Sequence, residues 1–96
     1  MKIRNVAHRG LRRFIERGDA SGLPGSAVER IRNIITFLLE MQDASELGDV
    51  RSWKIHHLTG DRKGTWSLSV TRNWRLTFAV SDDGEEVVDL NYEDYH

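Results

Sequence analysis

The chain has 96 residues, 39 % hydrophobic and 30 % charged, with no cysteine and a formal net charge of -1. That length supports one domain over residues 1–96 and leaves no room for a second core. Disulfide and thiolate chemistry are excluded, no apolar run approaches the roughly 18 residues of a membrane span, and no signal-peptide pattern follows Met1, so a cytoplasmic protein is expected, without membrane partners.

The charge is unevenly spread. Residues 1–17 hold six Lys or Arg and one acid, Glu16, whereas residues 76–96 hold seven acids and no Lys or Arg. Such a chain either draws a polyanion to one face and a basic partner to another, or neutralises itself on folding.

Lys2–Val6 alternates as a short edge strand. Ala7–Arg17 carries Leu11, Phe14 and Ile15 at helical spacing, and Gly18 stands at the stop position. Residues 18–25 form a loop. Ser26 and Glu29 fit a capping box, and Val28, Ile31, Ile35, Leu38, Leu39 and Met41 or Gln42 recur as one apolar helix face through about Asp43. Ala44–Gly48 adds a helical turn. From Trp53 the period falls to two: a strand over Trp53–Leu58, then Trp66, Leu68 and Val70, then Trp74, Leu76, Phe78 and Val80, each with its alternate residues on a solvent-facing polar side. Arg72-Asn73 is a hairpin connection, Ser81–Glu85 an acidic turn, and Val87–Tyr92 the last strand. This order predicts an α+β fold: a mostly antiparallel sheet of four to five strands with two N-terminal helices packed on one side.

Residues 53–78 gather Lys54, Arg62, Lys63, Arg72 and Arg75 with His56 and His57 and a single acid, Asp61. With Ile55 as the core residue of its strand, His56 falls on the polar face with Lys54, and His57 points the other way. An imidazole among cations suits a proton acceptor near neutrality. Arg75 lies on the polar face of its strand, where a planar fork grips phosphate oxygens; the plainer reading is a cross-strand ion pair with an acid such as Asp89. Arg62, Lys63 and Arg72 lie in turns and read as mobile cations for phosphate attraction. At the other end of the chain, His96 follows Glu93, Asp94 and Tyr95, and those acids suit it to donate a proton. The four histidines show no metal-ligand spacing, and no phosphate-binding or dinucleotide glycine pattern occurs, so neither metal nor cofactor is expected.

Several of these segments resemble one family. HRGLRRFIERGDASGLP is similar to the first helix and loop of HigB-type toxins of the RelE superfamily, from type II toxin–antitoxin systems. KIHHLTGDRKGTWSLSV resembles that group's pattern K-L-H-P-L-K-G-D-x-x-G-x-W-S-[IV]-x-V, NWRLTF its next strand, and NYEDYH its usual ending. The resemblance covers nearly the whole chain and implies a RelE-like fold. It also implies an mRNA interferase that enters the ribosomal A site, where the ribose 2′-OH attacks the adjacent phosphate without metal or protein nucleophile. His56 matches the family histidine, implied to take the 2′-OH proton. Arg75 matches the arginine that stabilises charge on the phosphorane-like state. Tyr95 and His96 match the terminal pair that orients a base and supplies an acid. Thr59 stands where the pattern has lysine and His57 where it has proline; the arginine expected at Thr71 has Arg72 as its nearest substitute. Lys54, His57, Arg62 and Lys63 would serve RNA and ribosome docking. The implied partners are the ribosome, its mRNA and a helix-turn-helix, HigA-like antitoxin, with operator DNA contacted only through the antitoxin complex. Two other readings stay open: a RelE-like binding module without catalysis, acting as co-repressor or ribosome binder, and a basic RNA-binding sheet.

Overall fold

The structure, a computed structural model, describes residues 1–50 and 52–94. In chain order the elements are β1 (Lys2–Ile3), α1 (Arg9–Arg17), α2 (Val28–Glu40), β2 (His56–His57), β3 (Trp66–Ser69), β4 (Trp74–Val80) and β5 (Glu86–Asp94), with 3₁₀ turns at Gly25–Ala27, Ala44–Asp49 and Gly60–Arg62. The five strands lie in the order β1-β5-β4-β3-β2, antiparallel except for the β1–β5 pair at one edge. No helix is long and apolar enough to cross a membrane among the described residues.

α1 forms where its apolar spacing begins, and it is stopped by Gly18, which takes φ 71 as the left-handed cap while its N–H donates to the Phe14 carbonyl. Its N-cap is His8, whose Nδ1 accepts from the Leu11 N–H at 3.0 Å. An imidazole can accept there only while neutral. Burial lowers the His8 pKa below its ordinary 6.5. The unfolded chain therefore binds the proton more readily than the fold. The stability this cap contributes is complete above 6.5 and is lost as pH falls through the lowered folded value. A His8→Asn chain, capped by an amide that does not titrate, is expected to lose this part of the acid sensitivity in thermal melts. His8→Ala is expected to cost about 1 kcal/mol at neutral pH.

Gly10 fixes how the following loop returns. A Cβ there would collide with the Gly22 carbonyl, and one on Gly22 would sit 2.7 Å from the Gly10 Cα. The loop thus packs against α1 backbone to backbone, which only a glycine pair allows.

α2 buries Ile31, Ile34, Ile35 and Leu38 against the sheet, each contributing roughly 1.5–3 kcal/mol. Their neighbours in the core include Leu68, Leu76, Phe78, Leu90 and Tyr92 from the strands and Leu11 from α1. Both helices therefore cover one sheet face. Several details depart from the sequence expectation. Ser26 caps nothing: it sits in the 3₁₀ turn closed by the Ala27 N–H donating to Pro24 O, and the α2 N-terminus has no side-chain cap. The capping box lies further on, where Asp43 and Glu46 cap the 3₁₀ turn at Ala44–Asp49. α2 ends at Glu40, and the Met1 amino group donates to the carbonyls of Leu38, Leu39 and Met41. Ile34 takes the core position expected of Leu39, which is 50 % exposed.

The strand expected over Trp53–Leu58 shrinks to His56–His57, because Lys54 takes φ 47 in a turn and so cannot continue it. The turn is held by α2: Arg30 donates to Ser52 O at 2.8 Å and to Val70 O at 3.3 Å, and Phe37 meets Trp53 edge-on at 5.5 Å. Nor is the polar sheet face wholly solvated, since Ser67 and Thr77, cross-strand partners on it, are buried at 3 % and 1 % exposure.

β5 contains a bulge. Its partners on β4 run regularly from Trp74–Asp94 to Thr77–Asn91, then shift by one to Ala79–Val88 and Val80–Val87. Asp89 is the surplus residue and takes φ 54. Asn5 clamps it in both directions: Asn5 Nδ2 donates to Asp89 Oδ1 at 2.9 Å, and the Asp89 N–H donates to Asn5 Oδ1 at 3.0 Å.

Candidate functional site

The helix-free face of the sheet carries two neighbouring rows of side chains. Cross-strand partners share a face, so the register sets His56, Ser67, Thr77 and Asn91 in one row and Ser69, Arg75 and Glu93 in the next. His56 and Arg75 thus stand on the same face, two strands and one diagonal apart, about 12 Å between Cα atoms. That separation leaves room for a substrate group between the two side chains.

Glu93 lies directly opposite Arg75. It replaces Asp89 as the acid facing that arginine, because the bulge removes Asp89 from the regular ladder. Arg62 reaches over from its 3₁₀ turn and grips Glu93 with two parallel bonds, Nη1 to Oε1 at 3.0 Å and Nη2 to Oε2 at 2.7 Å. The Thr77 hydroxyl donates to the same carboxylate. The hydrogen bonds from Arg62 hold the Glu93 carboxyl below its usual range, with further help from Thr77 and from the charges of Arg62 and Arg75 against the cost of partial burial. Arg62 is therefore a fixed part of this surface, not the mobile turn cation its position in the sequence suggests. Beside the network, an open hollow is lined by Arg62, Thr65, Thr77, Asp89, Asn91 and Glu93.

The other expected site residues scatter. His57 lies on the opposite side of the edge strand from His56, where it stacks on Trp66 at 4.4 Å and stays exposed. Lys54 is exposed in the turn before β2, Lys63 is exposed after the 3₁₀ turn, and Arg72 is exposed at the β3–β4 connection. β5 reaches that connection, since Asp94 is paired with Trp74. Tyr95 and His96 lie outside the described residues. Among the described residues no three His, Asp or Glu side chains come together to hold a metal ion.

Glu93 and Thr77 are the residues that sequence reasoning passed over. The signal was present: with Leu90 and Tyr92 in the core, Glu93 must share the face of Asn91.

A family model described as the RelE-like toxin of the type II toxin–antitoxin system HigB matches residues 4–96. The chain belongs to the HigB-like toxin family. It is 41 % identical over 96 residues to the endoribonuclease HigB of Proteus vulgaris, covering 98 % of this chain and 99 % of that protein. Among solved structures it is similar to a YoeB/ParE toxin from Agrobacterium tumefaciens, with 26 % identity, a TM-score of 0.57, and 97 % and 99 % of the two chains covered. The five-stranded sheet with its helices on one side is accordingly that of a RelE-like toxin, as the resemblance implied. In this HigB-like chain, His56 and the Arg75–Glu93 pair occupy the sheet face that the helices leave open.

Proposed function

We propose that this toxin is an endoribonuclease that cuts mRNA on the ribosome, acting as one domain by attack of the ribose 2′-OH on the adjacent phosphate, with no metal required. The observation that carries the proposal is the placement of His56 and Arg75 on one open face of the sheet, in neighbouring rows. A base and a cation held on strands keep their separation while charge develops between them. His56 takes the 2′-OH proton. Arg75 grips the phosphate oxygens and stabilises the negative charge that builds on them. His96 supplies the proton to the departing 5′ oxygen, Tyr95 orients a neighbouring base, and Arg72 adds a cation beside them. Lys54 and Lys63, both exposed, draw the RNA in. Arg62 and His57, also exposed, join them in docking the RNA; Arg62 in addition shapes the floor by holding Glu93, and His57 packs on Trp66. The similarity to a HigB endoribonuclease supports the activity. As a toxin of this family, the protein has an antitoxin as its partner; a helix-turn-helix, HigA-like antitoxin, with operator DNA bound through the complex, completes the proposal.

The test is to map the 5′ ends of cellular mRNA after brief induction of wild type and of Arg75→Ala. Cuts inside translated frames that disappear in the variant support the proposal. A soluble, accumulated wild-type protein that produces no new ends and no growth arrest overturns it in favour of a non-catalytic binding module.

A further inference from the structure

The outward side of α1 is almost entirely guanidinium. Arg9, Arg12, Arg13 and Arg17 line one shallow cleft together with Glu16, while Leu11 on the opposite side of the helix is buried. At 3.6 residues per turn these five charged positions fall within about 140° of arc. The pattern works against local stability. The first turn holds no acid and begins with Arg9, at the helix end where the dipole disfavours cations. Arg9, Arg13 and Arg17 follow at i, i+4 and i+8, a spacing at which like charges repel. Compensation is partial: Glu16 stands at i+4 from Arg12 and i+3 from Arg13 within the same arc, Arg13 has Asp19 at 3.9 Å, and among the described residues Arg9, Arg12 and Arg17 make no ion pair. A surface that breaks several local rules at once marks a functional demand.

The geometry fits that demand. Successive arginines at i+4 climb the helix in steps of about 6 Å, similar to the step between neighbouring phosphates of a nucleic-acid strand. The guanidinium fork suits phosphate oxygens. This face also looks outward from the helix layer, on the side of the sheet away from His56 and Arg75. We propose that the arginine face of α1 docks the phosphate backbone of a folded RNA while the open sheet face handles the strand to be cut. The identification of that RNA as ribosomal rests on the reading above; the docking chemistry does not.

The test uses the whole toxin and a short RNA duplex titrated over a range of KCl. A triple variant, R9Q/R13Q/R17Q, keeps helix propensity and relieves the repulsion at the helix start, so its melting temperature should stay the same or rise. It should bind the duplex about tenfold or more weakly near 100 mM salt, with a log–log salt slope shallower by about 2–3. R9K/R13K/R17K should keep the wild-type slope. An unchanged affinity and slope in the glutamine variant overturns the proposal. So does a loss seen only with an oligoglutamate peptide as the probe, which would assign the face to an acidic protein. Because cleavage is not read, a failure of the nuclease proposal would leave this result standing, and Arg75→Ala should retain the α1-dependent part of the slope.

Discussion

Arg75→Ala is expected to slow RNA cleavage by about 10²–10³-fold, the usual effect of removing one donor aimed at developing charge in a shielded site. The loss should appear in kcat far more than in KM, because the charge that Arg75 meets grows in the transition state. Arg75→Lys should recover little, since a point charge on a flexible stem lacks the planar fork. Single-turnover cleavage on programmed ribosomes, at saturating toxin, measures the step directly. A control is required by the structure itself: Arg75 faces Glu93, so the melting temperature must be compared to separate lost chemistry from a loosened sheet. A variant that melts like wild type and cleaves at the wild-type rate would remove Arg75 from the mechanism.

Glu93→Ala is expected to have the largest effect on stability among single changes on the open face. Its carboxylate accepts from Nη1 and Nη2 of Arg62 and from the buried Thr77 hydroxyl. Removing it leaves Thr77 without that acceptor and sets Arg62 and Arg75 near each other without the intervening acid. A cost of about 1–3 kcal/mol follows, or a fall of roughly 4–8 °C in melting temperature per kcal/mol for a domain of this size. The pH dependence identifies the cause. Because folding lowers the Glu93 pKa from its ordinary 4.5, the unfolded state takes up its proton first on acidification. The stabilisation is complete above 4.5 and is lost as pH falls through the lowered folded value. Glu93→Gln, of similar shape without the charge, should lose that acid limb and keep part of the neutral-pH stability. An acid limb that persists unchanged in Glu93→Gln would assign it to other carboxylates.

The elements were legible where one residue pattern decided them. Gly18 ended α1, the aliphatic spacing produced α2, and the alternation from Trp66 to Val80 set two strands with Arg75 on their polar side. Errors arose where distant parts of the chain compete with local signals. Ser26 and Glu29 have capping-box spacing, yet Pro24 begins a tighter turn first, and the same signal at Asp43 and Glu46 is the one used. Leu39 looks like core from its neighbours in sequence, but the face of α2 that meets the sheet is set by Ile34 and Leu38. The strand at Trp53 was cut short by a turn held by Arg30 of α2, a contact across 22 residues. For the site, His56 and Arg75 were readable from strand parity, whereas the Glu93 network depended on a register that β5 alone does not reveal. Its apolar residues Val87, Leu90 and Tyr92 break simple alternation, which is the trace the bulge leaves in the sequence.

That bulge has a consequence for shape. If Asp89 were absent, Val88 would join Leu90 directly, and Val87, Leu90 and Tyr92 would still alternate onto the core side with Asn91 and Glu93 opposite. The surplus residue is therefore not needed to aim any side chain. What a surplus residue supplies is bend and added twist, applied midway along β5 and fixed there by Asn5 from the chain's first segment. The hollow beside Thr77 and Asn91 lies at that bend. A chain one residue shorter would keep every group of the open face and present them on a flatter plate. The cup is thus encoded by length, as an insertion, and not by the chemistry of the residue inserted.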